Sequence, residues 1–468
     1  MSEPPSPGPP AAALQPRRYR GALLLGLALL TLAGGAALAV HYLRPAPPPA
    51  PPAAPDDPRL TYDTPYRNVR PGVAYVGDAA CADCHANIAA SYRRHPMGRS
   101  FARTSGPDAG GRDAPVPAEF DALGFRYRVE RRDGRLVHRE TRRDDKGEGV
   151  ADRAAEVPFV VGSGSRGYTY LVADGDYLFQ SPVSWYGQKK RWDLSPDYRH
   201  DNQHFGRPVT VECLFCHADR IDAVADTTNR YDLAAFRPAA VGCERCHGPG
   251  ELHVRRRQAD EKVAHLDDTI VNPRHLAPAL REAVCQQCHL QGQSRVVRRG
   301  RGPFDYRPGL PLQLFWSVFE WRPGVGPGNK AVGQVEQMYQ SRCFRASGGR
   351  LGCTSCHDPH AKPEGAAAVA FYRGRCQQCH EEHPCGLAEA ERRRRQADDS
   401  CVACHMPRAG TDIVHTAASD HRVPRRPGRD AERPPAPRPG PGEPPLVHFH
   451  RDLPGPGRAE VERDLWVG

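Results

Sequence analysis

Aromatic residues make up only 7% of this 468-residue chain, which holds four methionines and five tryptophans. With a mean hydropathy of −0.64, it lacks the apolar mass for the two or three ordinary cores its length would allow. That shortage excludes a fold held by side-chain packing alone. No nucleic-acid motif accompanies the formal charge of +10, so the arginine runs 255–257 and 392–395 read as solvated helix faces or as partners for acidic groups. Long apolar runs are scarce as well. The exception is 21–40, "GALLLGLALLTLAGGAALAV", behind Arg17, Arg18 and Arg20.

Cysteine is what the chain has: sixteen, of which fourteen fall in seven CxxCH motifs. These are Cys81, Cys84 and His85; Cys213, Cys216 and His217; Cys243, Cys246 and His247; Cys285, Cys288 and His289; Cys353, Cys356 and His357; Cys376, Cys379 and His380; Cys401, Cys404 and His405. Zinc ribbons and redox pairs use the Cys-x-x-Cys half but do not need the histidine that follows. C-type haem attachment needs all three: two thiols add to the vinyl groups and the next imidazole ligates the iron. Seven haems c would supply the missing apolar body. Their fourteen propionates and seven ferric centres would bring the net charge to about +3.

The second axial ligand decides whether an iron only cycles electrons or also binds a substrate. Eleven histidines outside the motifs lie between His95 and His421. His95, His253 and His360 follow motifs closely and are expected to close a neighbouring haem; His204, His275, His415 and His421 are further distal candidates. His200, His265 and His383 are spares, and His138, in a hairpin, is expected in solvent. Met97, Met338 and Met406 read as packing. The two leftover cysteines, Cys343 and Cys385, are expected to form a disulfide in an oxidising compartment.

The expected fold class is mainly α with little regular structure, a multihaem cytochrome c built around stacked haems, with an inserted β-rich module and one N-terminal transmembrane helix. Residues 1–20 form a cytoplasmic N-terminus and 21–43 a signal anchor, with a cleaved signal peptide at Ala37-Leu38-Ala39 as the rival. Residues 44–59 are a proline-rich linker, 60–430 the haem domain, and 431–468 a loosely ordered Pro/Gly-rich tail. Helices are expected over 86–95, 251–266 and 387–396. The insert spans 110–195, with hairpin signals at Asp133-Gly134 and Asp174-Gly175. Its Tyr168, Tyr170, Trp185 and Arg191 read as packing and surface.

The stretches "VGCERCHGPGELH", "LGCTSCHDPH" and "DDSCVACHMPRAGTDIVHTAASDHRVPR" resemble the multihaem cytochromes c related to the tetrahaem cytochrome of ammonia oxidisers and to hydroxylamine oxidoreductase-type cytochromes. The resemblance covers most of 75–425. It is closest to a planctomycete-type version that precedes tetratricopeptide repeats, in which "SRCF" and "CVACHMPR" also match. It implies redox metabolism of small inorganic compounds, with the histidines matching His95, His253 and His415 as distal ligands. No CxxC here is followed by the lysine of pentahaem nitrite reductases.

Together these features point to a heptahaem electron carrier in the cytoplasmic membrane, its haem domain on the periplasmic side. It would pass electrons between a membrane quinol oxidoreductase and periplasmic redox proteins. The alternative is a multihaem oxidoreductase acting on small nitrogen or sulfur compounds at one open haem.

Overall fold

The computed structural model describes residues 56–106, 109–111, 113–233, 239–263, 265–322, 333–381, 385–411, 413–426 and 443–468. The expected anchor at 21–43, linker residues 44–55, His383 and the first part of the tail lie outside them.

Strands are far more prominent than a mainly α fold allows, and this corrects the expected fold class. The described residues carry antiparallel sheets of six, four, three and two strands. The sequence concealed them because many strands are short: Phe159–Val161, Arg191–Leu194 and Ser294–Val297 have three or four residues, too few for an alternating pattern to register. Among the described residues no helix is long and apolar enough to cross a membrane. That finding goes against the single-pass anchor and the cytoplasmic-membrane placement expected from the run at 21–40, a run that itself lies outside the described residues.

Both hairpins form. Strands Phe125–Arg132 and Arg135–Arg143 turn at Asp133 (φ 50) and Gly134 (φ 77), two left-handed residues as a type I′ turn requires. Strands Tyr168–Asp174 and Tyr177–Tyr186 turn at Gly175 and Asp176, one residue beyond the expected pair. Tyr127, Val129 and Leu136 of the four-stranded sheet pack against Tyr170, Val183, Trp185 and Trp192 of the six-stranded sheet to close a sandwich. Side chains of the opposite parity, such as Leu171 and Leu178, pack on Leu214, Ala218 and Tyr231 around the second motif. One sheet thus joins the β module to the haem region, because successive residues of a strand face opposite ways.

His138 is not in solvent. It is fully buried in the sandwich, its Nδ1 2.8 Å from the Ser181 hydroxyl and its ring edge-on to Tyr170 and Trp192. Tyr168, Tyr170 and Trp185 are core, as expected of them.

Helices are short. Ala86–Tyr92 and Glu389–Arg395 fall within expected ranges, whereas Glu251–Gln258 stops early at Ala259, before the left-handed Asp260 (φ 54). A second core gathers Tyr66, Val69, Phe215, Val284, Leu310, Phe315 and Trp316 around Cys216, Cys246 and Cys288. Beyond it the chain is thinly packed: Gly365–His380 and Glu389–Arg395 bury no residue.

The tail is ordered where described. Leu446–His448 pairs with Trp316–Trp321, and helix Arg458–Val467 is fastened by the buried pair Arg298–Asp464 at 3.1 Å, with Glu460 2.6 Å from Arg298. Proline content told of loops; the tertiary pairing supplied the strand.

Candidate functional site

Every CxxCH motif lies in or beside a helical turn, for example Val211–Phe215, Glu244–His247, the last turn of Pro278–His289, and Cys401–His405. Residues i, i+3 and i+4 share one face of a helix, so this local fold turns both thiols and the imidazole to the same side. All fourteen motif cysteines are free thiols.

The residues between the cysteines bolt neighbouring motifs together. Glu244, within the third motif and 3% exposed, accepts N–H groups from Val76 (3.0 Å) and Gly77 (2.7 Å) just before the first motif, while Asp78 accepts the Cys243 N–H at 2.8 Å. Arg245 donates to the Phe215 carbonyl of the second motif at 2.9 Å, and Gln287 of the fourth donates to the Arg245 carbonyl at 2.9 Å. Glu282, buried on the fourth motif's helix, accepts the Cys353 N–H at 3.0 Å. Asp399, ahead of the seventh motif, takes Arg392 at 2.8 Å and Arg373 from the sixth motif's helix.

The thiols follow the same order. Cys81 stands beside Cys243, Cys216 beside Cys288, Cys285 beside Cys353, and Cys376 beside Cys401. Cys246 lies beside Cys285 and Cys288, and Cys356 beside Cys379. The motifs therefore form a chain running first, third, fourth, fifth, sixth, seventh, with the second joined at the fourth. The neighbouring Cys216 side chain, against the effect of burial and with help from Arg245, holds the Cys288 thiol below its ordinary value.

Two distal candidates face motif histidines. The rings of His247 and His360 are 6.0 Å apart and within 5° of parallel; those of His357 and His421 are 6.3 Å apart at 28°. An iron held by two imidazoles through bonds of about 2 Å sets the ring centres roughly 6 Å apart, which is the separation of both pairs. His253 pairs differently. It stands close enough to His85 for the two charges to interact, and its Nδ1 is 3.0 Å from Asp267. Nδ1 of His247 donates to the Val271 carbonyl at 2.8 Å, that of His405 to Pro424 at 3.0 Å and that of His421 to Ser419 at 2.9 Å. Each such bond fixes the tautomer and leaves the Nε2 lone pair for a metal. Burial lowers the pKa of His247, His253 and His421, and takes that of His217 to about 4. Imidazoles held neutral are competent ligands at neutral pH.

Other candidates stand elsewhere. His95 lies among His289 and His360, with Nδ1 accepting the Met97 N–H at 3.2 Å. His204 bonds Glu140 at 2.5 Å inside the β module. His275 is exposed on the turn Pro273–His275. His415 offers its Nε2 to Asp193 at 2.6 Å and so does not present it to a motif. Cys343 lies beside Cys356 and Cys376, Cys385 beside Cys404, and no disulfide joins them. Arg191 reaches Asp193 at 3.1 Å.

Sequence reasoning missed His448 and His450. Both are buried, and His450 Nε2 is 2.8 Å from Gln286 inside the fourth motif. Only the alternation of "LVHFH" could have signalled them.

No family model matches the chain, and no curated protein does. Among solved structures it is similar to the outer cell wall cytochrome OcwA, at 18% identity and a TM-score of 0.43 over 75% of this chain and 79% of that one.

Proposed function

We propose that the chain is a heptahaem c-type cytochrome that carries electrons between redox proteins, a quinol oxidoreductase among them. The observation that carries this reading is the pair His247 and His360, 6.0 Å apart and within 5° of parallel beside the thiols Cys243 and Cys246. The unbroken neighbour relation of the seven motifs adds to it. Haem, when bound, supplies reversible one-electron chemistry at iron. The chain's own residues hold the sulfurs on one face of each turn, keep the ligand imidazoles neutral, and set the attachment points of neighbouring motifs side by side.

Intact mass counts the attached haems, and low-temperature EPR of the oxidised protein, with and without nitrite or hydroxylamine, reads their ligation. Seven haems with low-spin signals unmoved by either compound are expected. Fewer than seven, or a high-spin signal that shifts on addition, would replace the carrier with the oxidoreductase reading.

A further inference from the structure

The β module has no cysteine motif, yet one hairpin of it grips the segment that carries His421. Gln188, in the turn between strands Tyr177–Tyr186 and Arg191–Leu194, imitates a strand partner. The Ala417 N–H donates to its Oε1 at 2.9 Å, and its Nε2 reaches the Ala417 carbonyl at 3.4 Å. Asp193 on the next strand is 1% exposed and takes His415 Nε2 at 2.6 Å, held in turn by Arg199 at 2.7 Å and by the Leu194 N–H at 2.8 Å. The His415 ring lies edge-on to Tyr186, 5.1 Å away. His415 has φ 63, a left-handed conformation unfavourable for a non-glycine residue that persists only where surrounding contacts enforce it.

The segment's other ties are mostly local to residues 405–424: the Asp420 N–H to the Pro407 carbonyl at 3.0 Å, Thr411 to Thr416 at 2.8 Å, and His405 Nδ1 to the Pro424 carbonyl at 3.0 Å. Ala417–Ser419 pairs with Arg408–Gly410 in a sheet of two three-residue strands, a size that is marginal in water. His421 itself is tied by its N–H to Gln337 at 2.9 Å.

We propose that Gln188 and the His415–Asp193 pair are positioning residues, through which the β module holds His421 over the fifth motif and keeps that haem closed. This rests on the reading that His357 and His421 ligate one iron. The insert then sets the coordination state of one haem.

The test uses the full-length holoprotein with Gln188→Ala, His415→Ala, the double variant, His415→Gln and His421→Ala. Ferric EPR, carbon monoxide uptake by the reduced protein and haem count by mass are read together. The double variant is expected to keep all its haems, move one of the seven from low to high spin, bind one carbon monoxide per chain, and recover on adding imidazole. His415→Gln, which retains a donor toward Asp193, is expected to stay like the unmodified protein. A double variant that remains low-spin while His421→Ala opens one haem would overturn the proposal. So would His415→Gln opening a haem as fully as His415→Ala while Gln188→Ala does nothing, since His415 would then be a ligand itself. If His421→Ala opens no haem, the ligand pairing fails, and the proposal with it.

Discussion

His138 gives the sharpest test of the β module's energetics. It is fully buried, and burial alone takes its pKa from 6.5 to about 3. A group whose folded pKa is depressed stabilises the fold above its unfolded pKa, and that contribution drains away as pH falls toward the folded value. Between pH 6.5 and 3 the unfolded chain binds a proton that the folded one refuses, which costs the fold about 1.4 kcal/mol per pH unit. At pH 4 the loss reaches about 3 kcal/mol. His138→Phe keeps the ring between Tyr170 and Trp192 and leaves Ser181 with the Val183 N–H as partner at 3.3 Å. Urea unfolding followed by tryptophan fluorescence at pH 7 and pH 4, for both proteins, cancels every other titration. The variant is expected to gain about 3 kcal/mol on the unmodified protein between the two pH values. Parallel stability curves would refute the argument, because they would mean that His138 is protonated equally in both states.

Replacing His360 by Ala should leave the haem count unchanged but turn one low-spin signal into a high-spin one that binds imidazole; an unaltered spectrum would remove His360 from the ligands. Asp464→Ala leaves Arg298, 5% exposed at its side chain, without its buried partner. A loss of about 3 kcal/mol is expected, and hydrogen exchange should speed up over 446–448 and 458–467 alone. Changing Cys285 and Cys288 to Ser removes the haem at the junction of four motifs. The protein should carry one haem fewer, and reduction by a small donor should split into two phases; a single phase would show that the fourth motif is not on the route.

What could be read in advance followed from local rules. Motif spacing is chemistry within five residues, and the Asp133-Gly134 pair between alternating strands takes positive φ at both residues, whereas at Asp174-Gly175 only the glycine does. The three-stranded sheet could not be read, because Leu446–His448 joins Trp316–Trp321 from far along the chain behind a proline-rich stretch. The His138 environment escaped for a related reason: its strand alternates ordinarily, and only the second sheet laid over it makes that face a core. His415 matched a ligand by position, yet Asp193 from a distant hairpin takes its Nε2.

The sequence by itself determined the seven CxxCH motifs and their spacing, since in each the two thiols and the imidazole fall within about one helical turn. Tertiary structure alone decided which imidazole faces which. His360 follows the fifth motif but stands over the third, and His253 follows the third but stands near the first. A chain cannot fold back over its own motif within a few residues, so the histidine that faces a motif comes from elsewhere, and buried bridges such as Glu244 and Glu282 hold neighbouring motifs together.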